Sequence, residues 1–555
     1  MPDTPDGPGR NGRPNVLVVL ADDLGFSDIG CYGSEIPTPH LDRLAGRGLA
    51  MRQFYNTARC SPSRASLLTG LHPHQTGVGI LTNDDGPAGY PGRLNDRCVT
   101  MAELLGDAGY STGLVGKWHL TGSIHQPDDA WPTRRGFDYF YGTLAGAGSY
   151  YDPVTLTEGE TPLPQTPEDF YLTTALGERA EDFVRAQADR DAPFFLYLAL
   201  TAPHWPLHAP AEAVERHRGR YDAGWDELRA ARFARQRSSG LADDSWSLSP
   251  RDEGVVAWDE VADADWQARR MEVYAAQVEL MDAAVGRVVA ALEDTGELDR
   301  TLVLFLSDNG GCAEEIEPGW VDELPSTPYN TPLRTRSGQR VRRGNDPTVT
   351  PGPEESFATY GVPWANLSNT PFREYKHWVH EGGIATPMIV HWPDGGLTSG
   401  WVDEPHQLPD VLATVLEVTG ASYPAERAGR PVLPASGRSM LGAWRGAAAT
   451  DEHTLYFEHE GNSAIRTGRW KLVRKHAEEW ELFDLSTDRS ELTDLAAAHP
   501  DLVRDLAARY ESWAGSHGVK PREPILAANR GGPSPLIRPF TSSRPRHGAD
   551  GPGRG

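Results

Sequence analysis

Four apolar runs, each followed at once by polar and ionisable residues, constrain the fold of this chain most strongly. The runs cover residues 16–20, 112–115, 194–200 and 302–306. Continuous apolarity is typical of strands that are covered on both faces, as in a parallel sheet. Helical patterns follow the runs, so the sequence predicts an α/β fold with a large, mostly parallel sheet sandwiched by helices.

The residues that follow these runs are those of ionic chemistry. Open α/β sheets bind ligands beyond the carboxyl ends of their strands, so we expect an active-site crevice there. The side chains that this placement brings together are Asp22, Asp23, Lys117, His119, His204, Asp308 and Asn309.

The rest of the chain indicates three parts: a catalytic domain over 13–403, a smaller α+β subdomain over 404–517, and an extended or disordered tail over 518–555. Within the first part, helical spacing over 269–294 predicts a packing helix, and 314–371 has no clear periodicity and is predicted to form long loops. Short strands within 455–483 predict a small antiparallel sheet, closed by a helix over 502–513. The tail is rich in Pro, Gly, Arg and Ser.

Composition narrows the class of partners. The chain has 555 residues, 53 Lys and Arg against 78 Asp and Glu, and a formal net charge of −25. Such a surface repels polyanions and argues against nucleic acid as a partner. The polar start and the lack of a long apolar segment argue against a membrane span and predict a cytoplasmic protein. The 4 cysteines are too few for a disulfide framework.

The carboxylates Asp22 and Asp23, with Asp308 and Asn309, form an all-oxygen set from two strand ends. Oxygen ligands suit hard cations, Ca²⁺ or Mg²⁺, rather than zinc. A lone Asp-Asp pair after a strand is more often a solvated turn; two such sites after buried strands favour one shared metal.

Residues 60–70, Cys-Ser-Pro-Ser-Arg-Ala-Ser-Leu-Leu-Thr-Gly, carry the most specific motif. The segment resembles the signature of type I sulfatases, Cys-x-Pro-x-Arg followed by Leu-x-Thr-Gly. The resemblance implies that Cys60 is oxidised to formylglycine (3-oxoalanine) by a formylglycine-generating enzyme. The alternative is that Cys60 is a buried structural thiol. The residues after Cys60 also look like a helix start, where amide hydrogens favour anions, and Arg64 lies one turn on.

The resemblance covers about residues 13 to 515 and is greatest to bacterial arylsulfatases of the alkaline-phosphatase-like superfamily. Further motifs appear in order: Gly-Lys-Trp-His at 116–119, Ala-Pro-His-Trp-Pro at 202–206, Ser-Asp-Asn-Gly at 307–310 and Glu-Gly-Gly at 381–383. Residues 312–369 depart from the pattern, which leaves the physiological substrate open.

Roles follow from the resemblance residue by residue. The formylglycine hydrate at position 60 attacks the sulfur of a sulfate ester and also touches a calcium or magnesium ion held by Asp22, Asp23, Asp308 and Asn309. Arg64 and Lys117 stabilise the hydrate; Lys117, His204 and Lys376 bind sulfate; His119 takes a proton from the second hydroxyl. Arg373 and His377 are nearby competitors for the role of Lys376.

Two rival functions stay open at this point. The first is a phosphatase or phosphonate monoester hydrolase on the same fold, because phosphate and sulfate esters are both tetrahedral. The second is a catalytically silent anion-binding protein, if Cys60 is unmodified. The full motif and the Gly-Lys-Trp-His segment favour hydrolysis of small-molecule sulfate esters.

Overall fold

The computed structural model describes residues 12–188, 190–316, 318, 333–448 and 452–529. Its main element is a sheet of ten strands. In spatial order these strands are Gly400–Val402, Leu49–Met51, Met388–His391, Thr301–Ser307, Asn15–Ala21, Phe194–Ala199, Ser111–Lys117, Tyr139–Thr143, Leu156–Glu158 and Thr161–Pro162. The central pairs are parallel, and antiparallel pairs lie towards both edges. The four predicted strands are all present, near the centre of the sheet.

Alternation along the central strand explains why its sequence is apolar throughout. Val16, Val18 and Leu20 belong to one hydrophobic core, and Leu17 and Val19 belong to another on the opposite face. Both faces are therefore covered, as the continuous apolar runs require.

The α-helices flank the large sheet, surround the cleft or belong to the C-terminal region. They are Pro39–Arg47, Cys60–Thr69, Pro73–Thr76, Met101–Asp107, Leu172–Ala188, Ala211–Glu215, Gly224–Ser238, Ala264–Asp294, Gly361–Ser368, Glu381–Ile384, Leu408–Thr419, Leu441–Trp444, Pro500–His517 and Arg522–Asn529. The predicted packing helix is present and begins earlier than its apolar pattern, at Ala264. Among the described residues, none of the helices combines the length and apolarity that crossing a bilayer needs.

The small antiparallel sheet has four strands, Leu455–His459, Asn462–Thr467, Trp470–Arg474 and Glu481–Asp484. One face packs under the helix Pro500–His517 through Ile465, Leu472 and Leu482. The other face contributes Phe457 and Phe483 to the core of the large sheet. Together the two sheets confirm the predicted fold class.

Shorter strands occur outside these two sheets. They are Phe54–Tyr55, Arg342–Arg343, Ser356–Phe357, Ala385–Thr386, His406–Gln407, Glu426–Arg427 and Arg430–Pro431. The strand His406–Gln407 pairs with Phe54–Tyr55, and the helix Leu408–Thr419 packs on the helix Cys60–Thr69. The boundary after residue 403 stays a prediction.

Two predictions of irregular structure were wrong in part. The region 314–371, predicted as loops, contains the helix Gly361–Ser368, whose Trp364 is fully buried. The tail predicted from 518 contains the helix Arg522–Asn529, because Ile525 is buried and the Lys520 backbone N–H donates to Tyr90 Oη at 2.8 Å. Both helices depend on tertiary contacts that a local pattern does not carry. Residues 317, 319–332 and 530–555 lie outside the described residues.

Candidate active site

The parallel register brings the predicted metal ligands together. Ala21 is paired with Ser307, so Asp22 and Asp308 emerge side by side at the ends of neighbouring strands. The Asp23 backbone N–H donates to Asp308 Oδ1 at 3.1 Å, and Asn309 Nδ2 donates to Asp23 Oδ1 at 2.7 Å. All four side chains are buried. The convergence expected from two separate strand ends is therefore present.

The four side chains fit a divalent cation. Asp22 Oδ1 and Asn309 Oδ1 are buried and have no hydrogen-bond partner, and a buried polar atom without a partner is costly. Burial, followed by the neighbouring Asp22 carboxylate, raises the pKa of Asp308. A hard cation ligated by these oxygens would give the two unpaired oxygens a partner and would offset the repulsion between the Asp22 and Asp308 carboxylates.

Cys60 is the first residue of the helix Cys60–Thr69 and is buried. The first backbone N–H groups of a helix have no intrahelical partner, and they attract negative charge. The Cys60 Sγ lies 3.5 Å from His119 Nδ1. The motif cysteine thus lies beside a titratable ring and within a positive local field.

Arg64 connects this helix to the carboxylates. Its Nε and Nη2 donate to Asp308 Oδ2 at 3.1 and 2.8 Å, and its Nη1 donates to the Lys117 carbonyl at 3.1 Å. Lys117 is the last residue of its strand, and its Nζ lies 2.6 Å from Asp22 Oδ2. Two buried cations therefore border the carboxylates.

Lys376 is the third cation of the cluster. Its Nζ lies 2.7 Å from Asp23 Oδ1 and 2.8 Å from Asp23 Oδ2. Burial alone would lower the pKa of Lys376, but the Asp23 carboxylate outweighs burial and raises that pKa. The competitor Arg373 instead pairs with Glu481 at 3.1 Å, and the ring of His377 contacts that of His459. Of the three candidates, Lys376 contacts the carboxylates.

Two buried histidines complete the cluster. His204 Nε2 lies 3.3 Å from Asp23 Oδ2. Burial, followed by the positive charge of Lys117, holds the pKa of His119 well below its usual range. Burial lowers the pKa of His204 to about 3, against the opposing effect of Asp23. Both rings are therefore neutral at pH 7, and a neutral imidazole can accept a proton.

Sequence reasoning missed a carboxylate at the edge of this cluster. Glu314 accepts from Arg59 Nη1 at 2.7 Å and from Trp205 Nε1 at 2.9 Å. Burial alone would raise the pKa of Glu314, but the Arg59 guanidinium outweighs burial and lowers that pKa to about 2. Its two partners lie more than 100 positions away in sequence, so no local motif could have identified it.

Comparison with known proteins agrees with this geometry. The profile of the family described as Sulfatase matches residues 14–421, and that of the N-sulphoglucosamine sulphohydrolase C-terminal family matches residues 373–512. An arylsulfatase of Klebsiella aerogenes is 36% identical over 448 residues, which are 77% of this chain and 91% of that protein. An uncharacterised sulfatase of Schizosaccharomyces pombe is 35% identical over 540 residues, 91% of this chain and 94% of that protein.

Solved structures share the fold. The crystal structure of Ps i-CgsB superposes with a TM-score of 0.66 at 24% identity, and the match covers 93% of this chain and 97% of that one. A phosphonate monoester hydrolase of Agrobacterium radiobacter superposes with a TM-score of 0.56 at 20% identity over 91% of this chain and 96% of that one. The matching family profile and the Klebsiella arylsulfatase show that the chain belongs to the type I sulfatases of the alkaline-phosphatase-like superfamily and is a sulfuric ester hydrolase.

Proposed function

We propose that this sulfatase hydrolyses aryl sulfates to a phenol and sulfate, with a formylglycine made from Cys60 and a bound divalent cation, Ca²⁺ first and Mg²⁺ second. The observation that carries the proposal is the placement of Cys60. It begins a helix beside His119, and Arg64 of the same helix reaches the Asp308 carboxylate. A formylglycine-generating enzyme is the partner that the maturation of Cys60 requires.

The two groups supply different chemistry when present. A formylglycine hydrate provides a nucleophilic hydroxyl together with a second hydroxyl. A divalent cation provides Lewis-acid stabilisation of negative charge. Asp22, Asp23, Asp308 and Asn309 would hold the cation.

The protein's own side chains would bind and orient the sulfate group. Lys117 Nζ and Lys376 Nζ now neutralise Asp22 and Asp23. With a cation held by the carboxylates, Lys117 and Lys376 would be free to bind sulfate oxygens through their ammonium groups. The negative charge of a bound sulfate group would favour the protonated form of His204, whose Nδ1 faces the Trp205 carbonyl oxygen at 2.6 Å and whose Nε2 would then donate to the leaving oxygen. His119 would accept a proton at Nδ1, the atom that faces position 60.

A cavity beside His204 suits an apolar leaving group. Its lining includes the apolar residues Tyr150, Val154 and Trp205 together with hydroxyl residues such as Ser149 and Thr201. The aromatic side chains of this lining would pack against an aryl ring. The Klebsiella relative, named an arylsulfatase, supports the same substrate class.

The test combines peptide mass with substrate preference. Digestion and mass spectrometry of active protein should show residue 60 as an aldehyde, and kcat/KM for an aryl sulfate should exceed that for the matching aryl phosphate. A chelator should abolish the activity, and added Ca²⁺ should restore it. A preference for the phosphate ester would favour the phosphatase alternative. An unmodified thiol with no turnover would favour the silent anion-binding protein.

A further inference from the structure

A second group of metal-ligating side chains lies where the C-terminal sheet meets the large domain. His406 lies on the strand His406–Gln407, Asp410 in the first turn of the helix Leu408–Thr419, and His453 just before the strand Leu455–His459. We call these three residues the His–Asp–His cluster. None of them belongs to the active site described above.

The three ligand atoms converge. His406 Nδ1 lies 3.0 Å from Asp410 Oδ2, and His453 Nδ1 lies 3.7 Å from the same oxygen. Candidate ligand atoms of all three residues lie within 4.8 Å of one another. The side chains of His406, Asp410 and His453 are 2%, 0% and 9% exposed. Atoms bound to one zinc ion at about 2.0–2.1 Å would be separated by distances of this size.

One of these atoms points into the cluster without a partner. His453 Nδ1 is buried and makes no hydrogen bond among the described residues. An unpaired buried nitrogen is costly unless something ligates it. The rings of His406 and His453 are 5.7 Å apart and close to perpendicular, so they do not stack.

The carboxylate of Asp410 has capacity left for an ion. Its Oδ1 accepts from the Arg438 backbone N–H at 2.7 Å, and its Oδ2 accepts from the Gln407 backbone N–H at 3.0 Å. Each carboxylate oxygen has two lone pairs, and the second one on Oδ2 faces His406 Nδ1 at 3.0 Å, where a proton or a metal ion would lie between the two atoms. These backbone bonds also fix the orientation of the carboxylate.

The other nitrogen of His406 faces a carboxylate but makes no hydrogen bond among the described residues. His406 Nε2 lies 3.5 Å from Glu404 Oε1. A metal-bound histidine typically donates its second ring N–H to a carboxylate, which fixes the tautomer. With Nε2 protonated, Nδ1 presents a lone pair towards Asp410 Oδ2, and two lone pairs at 3.0 Å repel unless a cation lies between them.

A proton on Nδ1 is the simpler cation, but it satisfies only His406. An imidazolium between Asp410 and Glu404 leaves His453 Nδ1 unpaired. A metal ion can be shared by His406 Nδ1, Asp410 Oδ2 and His453 Nδ1 at once. The mixed nitrogen and oxygen donors suit a borderline-soft ion, unlike the all-oxygen set of the active site.

We propose that the His–Asp–His cluster is a second metal site, one that binds Zn²⁺, with Glu404 as the carboxylate that orients His406. The ion would join the helix Leu408–Thr419, which packs on the helix beginning at Cys60, to the first strand of the small sheet. With three protein ligands, the ion would keep its fourth position for water, and it would stabilise the junction of the two regions.

The test measures bound zinc in the full-length protein. Protein saturated with Ca²⁺ is loaded with Zn²⁺, passed over a desalting column and analysed by elemental mass spectrometry. We expect about one zinc ion per chain in the wild type and at least a hundredfold weaker binding in His453→Asn and His406→Asn. Glu404→Gln should weaken binding about 10–100-fold, as expected of a partner that only orients a ligand.

His391→Asn is the control, since His391 is also a largely buried histidine and lies outside the cluster. The zinc content of this variant should equal that of the wild type. Co²⁺ added to the wild type alone should give the visible absorption bands of a four-coordinate ion, and Zn²⁺ should remove those bands. This measurement needs no variant, so it still tests the site if a variant misfolds. Equal zinc content in wild type and His453→Asn, or no Co²⁺ bands, would overturn the proposal in favour of a protonated His406.

Discussion

In the described part of the chain, two of the groups of buried charges can be compared, and only one has the features of a catalytic site. The first is the active-site cluster around Asp22, Asp23 and Asp308. The second, which we call the Glu381 cluster, consists of Glu381, Lys471, Arg489 and Glu491 and joins the small sheet to the large domain. Lys471 Nζ lies 2.8 Å from Glu381 Oε1 and 2.7 Å from Glu491 Oε1.

The two clusters differ in how closely cations approach their carboxylate oxygens. In the Glu381 cluster, Glu381 Oε1 faces Lys471, and Oε2 accepts from Tyr55 Oη at 3.0 Å and pairs with Arg489. In the active site, Asp22 Oδ1 and Asn309 Oδ1 have no hydrogen-bond partner, and Cys60 lies nearby at a helix start. Burial, charge and an oxygen without a hydrogen bond occur in both clusters, since Glu491 Oε1 also lacks one. That oxygen lies 2.7 Å from Lys471 Nζ, whereas Asp22 Oδ1 lies 3.6 Å from Arg64 Nη2. The looser ion pairing and the adjacent nucleophile position distinguish the catalytic cluster.

The largest expected effect is the loss of an active-site carboxylate. Asp308→Asn removes a metal ligand and the partner of Arg64, so we expect kcat/KM for an aryl sulfate to fall at least about a thousandfold. Calcium content, measured in the same samples, should fall with it. Glu491→Gln is the matched control from the Glu381 cluster, and it should lower the Tm while changing kcat/KM less than about twofold. Equal losses of activity in the two variants would contradict the distinction.

The next effect concerns stability rather than turnover. Lys471→Met leaves Glu381 and Glu491 without their shared ammonium group, and breaking a buried pair in this way costs about 3–5 kcal/mol of unfolding free energy. Urea denaturation measures that loss, and KM below the unfolding transition should stay the same. If Lys471→Met were as stable as the wild type, the Glu381 cluster would not hold the two regions together.

A smaller effect is expected at Gly146, which packs against the ring of His119. A Cβ at this position would lie 2.4 Å from His119 Cε1, so in Gly146→Ala the ring or the segment that carries residue 146 must shift. We expect kcat to fall about tenfold, equivalent to about 1.4 kcal/mol in the barrier, with little change in Tm. Gly46→Ala is the control, because a Cβ at Gly46 meets nothing within 4 Å. An unchanged kcat in Gly146→Ala would mean that the position of His119 is not critical.

The sequence predicted the parts of the fold and site that depend on local pattern. The apolar runs identified the central strands, and the residues after them converge because parallel register aligns strand ends, as for Asp22 and Asp308. The sequence offered Lys376 as one of three candidates for a sulfate-binding cation and could not choose among them. Its contact with Asp23 spans 353 positions, which no local pattern reports. The Arg59–Glu314 pair was missed for the same reason.

Short helices that form around a single buried side chain could not be predicted from hydrophobic periodicity either. The helix Gly361–Ser368 contains Pro363 and forms around a buried Trp364, which no periodicity signals. The cytoplasmic location, the absence of a nucleic-acid or membrane partner, the identity of the cation and the conversion of Cys60 stay predictions.

The central claim, a formylglycine mechanism at position 60, is tested most directly by the mass of Cys60→Ser after incubation with an aryl sulfate. A serine has only one hydroxyl, so it can attack once but has no second hydroxyl with which to expel sulfate. The account predicts that the variant is folded, releases at most one phenol per chain and accumulates a stable serine sulfate. Sustained turnover by Cys60→Ser, with an unmodified serine and no aldehyde at that position, would contradict it and point to direct attack by water at the metal.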